Sequence, residues 1–465
     1  MQRIPPIKRP TEGPAFQNFD AFSQYLDRLG LFRMKPGLDR MKVMLSRMDL
    51  LRPPFTVVQV AGTNGKGSTS AMLESLARAH GLKTGLHSSP HLVSVRERVR
   101  IDGKMLGQDA WTALANTIMD QGGSELSYFE FVTCMAILAF SEAKVAIAVM
   151  ETGLGGLFDA TSALDADMVV FTPFALDHQA VLGDTLQEIA ADKAGCIRPG
   201  KPVISAPQEA EALAEIKKKS ITEGAPLIVA DTASPLMQEL AFDHRSMRLQ
   251  AEYQAGNASL ALTAWRRLLL DESFSPDLRG SVADVYTHIK DSEIKGLSEA
   301  WLPARMQRVP PLRANENGFP STLGWPHLLL DGAHNPHGMA ALGLSLAKRG
   351  IAPAAIIFAC VADKDIKLML PHLRSLATGP IFVPPIKDNP RSVPPDDLSA
   401  LIGLNAKPTG SIEDALGQAS CLLAERFPEV FVDGQCKNPL LICGSLYLLG
   451  EFFALRPDCL EAPQQ

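Results

Sequence analysis

Between Thr56 and Gly81 the chain reads TVVQVAGTNGKGSTSAMLESLARAHG, and this stretch limits what can be built around it. Thr56 to Ala61 is mostly apolar and β-branched, the composition of a buried parallel strand. A glycine-rich turn follows: Gly62, Thr63, Asn64, Gly65, Lys66, Gly67, Ser68. From Thr69 onward Met72, Leu73, Leu76, Ala77 and Ala79 recur at helical spacing, and Gly81 supplies a stop. Strand, turn and helix together make an anion cradle. Glycines let backbone N–H groups close around a phosphate, and the helix N-terminus adds about half a positive charge. Lys66 is then expected along the β- and γ-phosphates, with the Ser68 hydroxyl on Mg²⁺. The common P-loop pattern is met imperfectly, with Val60 where it wants glycine and Gly67 where it wants serine. An ordinary glycine-rich turn is the alternative; Lys66 and the hydroxyls between a good strand and a good helix favour ATP or GTP.

At 465 residues the chain is long for one domain, and 46% hydrophobic with 21% charged residues is a globular composition. A net charge of −6 argues against nucleic acid as the main partner. Seven cysteines without a CxxC pair suggest reduced thiols in a cytoplasmic protein rather than a disulfide framework or zinc site. The first residues, MQRIPPIKRPTEGP, are proline-rich, are expected to be loose, and lack the apolar core of a secretory signal. No run reaches the ~18 apolar residues of a membrane span, so no membrane partner is expected.

Phe16 to Leu51 suggests two short helices, and Lys83 to His91 a second short strand ending in Ser88 and Ser89. Asp102-Gly103 signals a hairpin. Helices are expected at Trp111–Met119, Phe129–Ser141 and Glu209–Lys219, and strands at Val145–Met150, Met168–Thr172, Pro202–Ser205 and Pro226–Ala230. This alternation predicts an α/β fold, a P-loop-type, doubly wound, mostly parallel sheet. Residues 271–325 read as irregular. A second, smaller Rossmann-like α/β pattern begins at His327–Asp331. The boundary falls near 308–326, giving an ATP-binding domain at 1–310 and a C-terminal domain at 311–465.

In an open parallel sheet, ligands bind beyond the carboxyl ends of strands. The phosphate loop, Ser89, Glu151 and His178 all fall there. Mg²⁺ takes oxygen ligands and keeps waters and phosphate oxygens, so Ser68, Ser89 and Glu151 suit it, with His178 a less usual partner. Taken singly, Ser89 could cap a turn and His178 could be a plain loop residue. Glu151, an acid at the end of a buried strand, calls for a cation.

The motifs GTNGKGS, SSPHL (88–92), SYFEF (127–131), ETGLGGLFDATS (151–162) and ALDHQAVLGDTLQEIAADKAG (175–195) come in the order of one family. YQAGNASLAL (253–262), DGAHNP (331–336) and ADKD (362–365) follow. The chain resembles folylpolyglutamate synthase/dihydrofolate synthase, a branch of the Mur ligase superfamily, from about Phe22 to Leu449. The resemblance implies ATP-dependent amide formation between a dihydropteroate or reduced-folate carboxylate and the amine of L-glutamate. It implies a monomer using ATP and two Mg²⁺ ions. Ser68, Ser89, Glu151 and His178 would hold the metal, and Thr63, Asn64, Gly65, Lys66, Gly67, Ser68 and Asn257 the nucleotide. Arg305 would meet the transferring phosphate, and Asp331 the nucleotide from the C-terminal domain. Lys193 matches a lysine that CO₂ converts to a carbamate, which turns a cation repelling Mg²⁺ into an anion. Ser127, Tyr128, Phe129, Glu130, Phe158, Asp159 and Ala160 match pterin-binding positions, with helix core an equal reading for Phe129.

Four positions depart from the family pattern: Leu157 stands for Arg, Ser162 for Asn, Gln179 for Thr and Ala304 for Gly. None removes a metal or phosphate ligand. Leu157 and Phe158 bear on which acceptor is used. A Mur-like ligase for another acid is the alternative enzyme, although few residues precede the phosphate loop. A nucleotide-binding switch without ligase chemistry is the other class, and the Glu151–His178 pair with Lys193 speaks against it.

Overall fold

The computed structural model describes residues 14–30, 37–231, 247–270, 282–312, 324–403, 405–432, 434 and 436–462, with side chains 282–289 excluded. The N-terminal 1–13 stretch, expected to be loose, lies outside them. The chain divides into two compact units. One comprises Met1–Asp243 with Gly256–Ala300; the other comprises His244–Ala255 with Trp301–Gln465.

The first unit holds an eight-stranded sheet. Its strands are β1 (Thr56–Ala61), β2 (Thr84–His87), β3 (Val99–Ile101), β4 (Lys104–Met105), β5 (Ile147–Glu151), β6 (Met168–Phe171), β7 (Val203–Ser205) and β8 (Leu227–Val229). Their order is β4-β3-β2-β5-β1-β6-β7-β8. The two pairs β2/β3 and β3/β4 are antiparallel and the rest parallel. β1 is central because both its faces are covered, and its residues from Val57 to Ala61 are buried throughout. Val60 lies opposite Glu151 on β5, and Ala61 opposite Phe171 on β6, so three strands end together beside the phosphate loop.

The second unit holds a six-stranded sheet of β9 (Gln307–Val309), β10 (Leu328–Leu330), β11 (Ala355–Phe358), β12 (Ile381–Val383), β13 (Ala406–Pro408) and β14 (Leu440–Cys443). The order is β13-β12-β11-β14-β10-β9, parallel except for β9 against β10. The predicted α/β class with two mostly parallel sheets is therefore what the chain forms. No helix among the described residues is long and apolar enough to cross a membrane.

One expectation is corrected. Within the stretch read as irregular, Val282–Glu299 is a long helix. Its described packing side carries Glu293 and Gly296 besides Leu297, which breaks the apolar period that sequence reading depends on. Glu293 is fully buried and takes a two-pronged contact from Arg266 on the helix Gln254–Leu269, both bonds at 2.7 Å. At Gly296 the backbone of the phosphate-loop helix Lys66–Ala79 comes so close that an added Cβ would lie 2.7 Å from Leu76 Cα. Gly296→Ala should therefore destabilise the protein by about 1–3 kcal/mol through overpacking, although alanine is the better helix former. A lower urea midpoint at unchanged m-value is the expected readout; a midpoint at or above wild type would show that the helices can move apart without cost.

Candidate active site

The helix expected from Thr69 in fact starts at Lys66, one residue after Gly65, whose φ of 92° is a left-handed value suited to glycine. Ser68 thus sits in the first turn of that helix and is buried. Gly65 has a second constraint: an added Cβ would stand 2.6 Å from Asn257 Oδ1. Asn257, on the helix Gln254–Leu269, is in this way brought against the phosphate loop.

Two lysines converge on one carbonyl. Lys66 Nζ donates to the Gly62 and Thr63 carbonyls, each at 3.1 Å, and Lys193 Nζ donates to the Gly62 carbonyl at 3.0 Å. Lys193 comes from the helix Leu186–Ala194, started by a Thr185–Glu188 capping box, and is 4% exposed. Gly156 lets that helix approach, since a Cβ there would collide with the Lys193 backbone. Burial, and then the neighbouring Lys66 ammonium, push Lys193 down to about 7. Two full cations on one carbonyl would repel, and a neutral Lys193 removes the conflict.

Glu151 is the last residue of β5 and is 3% exposed. Its Oε2 accepts from the Ser89 backbone N–H at 3.1 Å, which joins the ends of β5 and the loop after β2. That loop is held from behind by Glu97, whose carboxylate accepts from the N–H groups of Leu92, Val93 and Ser94. His178 has φ 54° at the start of the short helix Gln179–Leu182, half-exposed, with Nε2 3.9 Å from Asp177 Oδ1. Among the described residues no three His, Cys, Asp or Glu side chains form a metal-binding group. A donor set of two hydroxyls, one carboxylate and one imidazole fits Mg²⁺, which takes most of its ligands from water and phosphate. Ser68, Ser89, Glu151 and His178 are the residues that would hold it.

Several predicted residues are engaged in shaping the site. The Thr63 hydroxyl donates to the Ala175 carbonyl and accepts from its N–H, clamping the phosphate loop to the segment between β6 and His178. The Asn64 N–H, like that of Thr63, donates to the Pro173 carbonyl. Gly67 follows in the first helical turn. Asp159 accepts from the N–H groups of Gly153, Leu154 and Thr161, so it holds the turn after Glu151. Ala160 is buried in the 3-10 turn behind it. Glu130 pairs with Arg40 and accepts from the Ser127 N–H, completing the capping box of the helix Tyr128–Ala143. Tyr128 is buried with Arg98 5.4 Å from its ring centroid. Phe129 is half-buried, and its ring stands against Gly153, where a Cβ would lie 2.7 Å from the ring. Phe158 is 54% and Leu157 41% exposed, an apolar pair on the rim of this loop.

In the second unit, Asp331 follows β10 and is buried. It accepts from the Tyr253 hydroxyl and the Met306 N–H through Oδ2 and from the Ala333 N–H through Oδ1, each at 2.9 Å. Burial raises its affinity for a proton, and the Arg305 guanidinium opposes that. Arg305 stands between Ala304 (φ 58°) and Met306 (φ 48°), two left-handed residues that turn the chain around it. Sequence reading missed Tyr253, though it heads the YQAGN motif, because its partner lies 78 residues away. It also missed Gln59, which looks like one more strand residue.

A phosphate loop at the centre of a parallel sheet, a carboxylate ending the next strand and a lysine buried behind the loop suit an ATP-dependent carboxylate–amine ligase, and proteins similar to this chain are of that class. The Escherichia coli dihydrofolate synthase/folylpolyglutamate synthase is 30% identical over 429 residues, covering 91% of this chain and 92% of that protein. An Arabidopsis thaliana folylpolyglutamate synthase is 32% identical over 369 residues, and there the match spans 61% of the plant protein's length. The solved structure of E. coli FolC with DHPP and ADP superposes with a TM-score of 0.76 at 28% identity, covering 96% of this chain and 99% of that one. A bifunctional enzyme of the same name, with Mn, AMPPNP and L-glutamate bound, gives a TM-score of 0.75 at 28% identity and covers 96% and 100%. No family model matches the chain. The chain belongs to the folylpolyglutamate synthase/dihydrofolate synthase family.

Proposed function

We propose that this enzyme joins L-glutamate to the carboxylate of dihydropteroate, of reduced folyl-glutamates, or of both, through an acyl phosphate. A carboxylate is a poor acylating agent. Its oxygen attacks the γ-phosphorus of ATP and ADP leaves; the glutamate amine then attacks the carbonyl carbon, loses a proton and expels phosphate. Lys66 would neutralise charge on the γ-phosphate, and Mg²⁺, when bound at Ser68, Ser89, Glu151 and His178, would supply the rest. Asn257, Arg305 and Asp331 are assigned to the nucleotide by family resemblance. Tyr128, Phe129, Phe158 and Ala160 are assigned to the pterin, together with Ser127, Glu130 and Asp159, whose polar groups also brace the site.

The observation that carries this reading is the pair of lysines on the Gly62 carbonyl. A nucleotide switch needs only the first of them. A second, buried lysine that gives up its proton near pH 7 can add its neutral amine to CO₂ with loss of a proton, and the resulting carbamate is an anion close to the phosphate loop.

The deciding experiment is ADP release with ATP, Mg²⁺ and L-glutamate, run in parallel with dihydropteroate and with tetrahydrofolate. Turnover with both is the expected result. Turnover with one assigns the enzyme to that acceptor. Silence with both, in a folded protein that binds ATP, would overturn the folate assignment and favour another acid, for which the Leu157–Phe158 rim is the place to look.

A further inference from the structure

Gln59 lies in the middle of the central strand, fully buried, among residues that are otherwise apolar or small. Its Nε2 donates to Thr161 Oγ1 and to Ser162 Oγ, both at 2.8 Å. The orientation of this amide follows from proton bookkeeping on the two hydroxyls. Thr161 Oγ1 donates its proton to Asp159 Oδ1 at 2.6 Å, and Ser162 Oγ donates to the Gly156 carbonyl at 2.5 Å. Each hydroxyl has one proton, so each can only accept from Gln59, and Nε2 must face them. Oε1 is left buried without a hydrogen-bond partner among the described residues.

A half-satisfied buried amide is a poor choice for stability alone, since an apolar side chain of the same shape would avoid an unpaired oxygen. Its two bonds have a directed consequence. They orient Thr161 and Ser162, which hold Asp159 and the Gly156 carbonyl. Asp159 Oδ2 in turn accepts from Gly153 N–H at 2.8 Å and Leu154 N–H at 3.0 Å. The chain of bonds runs from the sheet centre to the turn directly after Glu151 and on to the loop bearing Leu157 and Phe158.

We propose that Gln59 is a positioning residue for the acceptor: through the hydroxyls of Thr161 and Ser162 it sets the course of the Gly153–Phe158 loop. The assignment of that loop to the acceptor rests on the function proposed above. Gln59→Met keeps the length and apolar stem of the side chain and deletes both donated bonds.

The test has two readouts on the full-length protein. Hydrogen exchange without substrates should quicken about tenfold at the Gly153 and Leu154 amides, with the amides of β1 unchanged. In the glutamate-dependent assay the acceptor KM should rise about tenfold while the ATP KM and kcat stay within about twofold. In a Thr161→Val/Ser162→Ala background, Gln59→Met should add almost nothing further, because the connection is already cut. Unchanged exchange and acceptor KM would overturn the proposal, as would an equal effect of Gln59→Met in both backgrounds. If Gln59→Met does not fold, Thr161→Val alone should give the same pattern, and its absence would count against the proposal. The exchange experiment needs no substrate, so a failed folate assignment and a failed role for Gln59 are told apart.

Discussion

Glu151→Gln should leave the protein folded and reduce turnover by about 10³-fold or more. The substitution is isosteric, so the hydrogen bond from the Ser89 N–H to an Oε atom can be kept. What is lost is the charge. Glu151 is a buried carboxylate at the end of β5, beside the phosphate loop through its register with Val60. The divalent cation proposed to carry ATP oxygens there would need an anionic protein ligand, and an amide oxygen is a much weaker one. The checks are glutamate-dependent ADP release and the circular-dichroism spectrum of the purified variant. Near-wild-type turnover would remove Glu151 from the metal site. A collapsed fold would instead show that its carboxylate is structural.

Lys193→Ala should lower turnover by about 10²-fold or more, while nucleotide binding through the phosphate loop persists. Its amine is held near 7 by burial and by Lys66, so at pH 8 most of it is neutral and able to attack CO₂. Trapping of labelled bicarbonate on the protein should therefore rise from pH 6 to pH 8 and vanish in Lys193→Ala. Absence of label in the wild-type enzyme across that range would refute the carbamate. A stability consequence accompanies this in unmodified protein. The lysine ordinarily holds its proton to 10.5, whereas the folded one releases it near 7. Between those values the unfolded state binds more protons, so stability should climb as pH rises from 7 to 10.5, and Lys193→Met should flatten that climb.

Much of the active-site framework was legible because it is local. The phosphate loop declares itself within seven residues, and the strand expected at Thr56–Ala61 is β1 with the same bounds. The strand from Val145 was expected to deliver Glu151 at its end, and it does. Lys193 was legible only through the family motif, because a lysine on a helix reads as surface. Its burial depends on Gly156 admitting the helix backbone, a contact between segments 37 residues apart.

The helix Val282–Glu299 was illegible for the opposite reason. On its described part an ion pair at Glu293 and a close backbone contact at Gly296 stand beside Leu297, and neither continues an apolar period. Glu130, Asp159 and Thr63 were expected as ligand contacts from motif position, and the structure adds that their polar groups also bond to backbone and, for Glu130, to Arg40. Motif position tells which residues are near a site, whereas hydrogen-bond partners tell which of them build it.

The sequence by itself determined the α/β class, the phosphate loop and the family. Those follow from residue period, turn chemistry and motif order along a continuous stretch of chain. Only the tertiary structure decided that two lysines share one carbonyl and that Gln59 bonds to Thr161 and Ser162. It alone showed Asp331 held by Tyr253 and two backbone amides. Each joins residues distant in the chain, and a hydrogen bond, a lowered pKa or a close approach at glycine depends on where atoms sit in space rather than on their order.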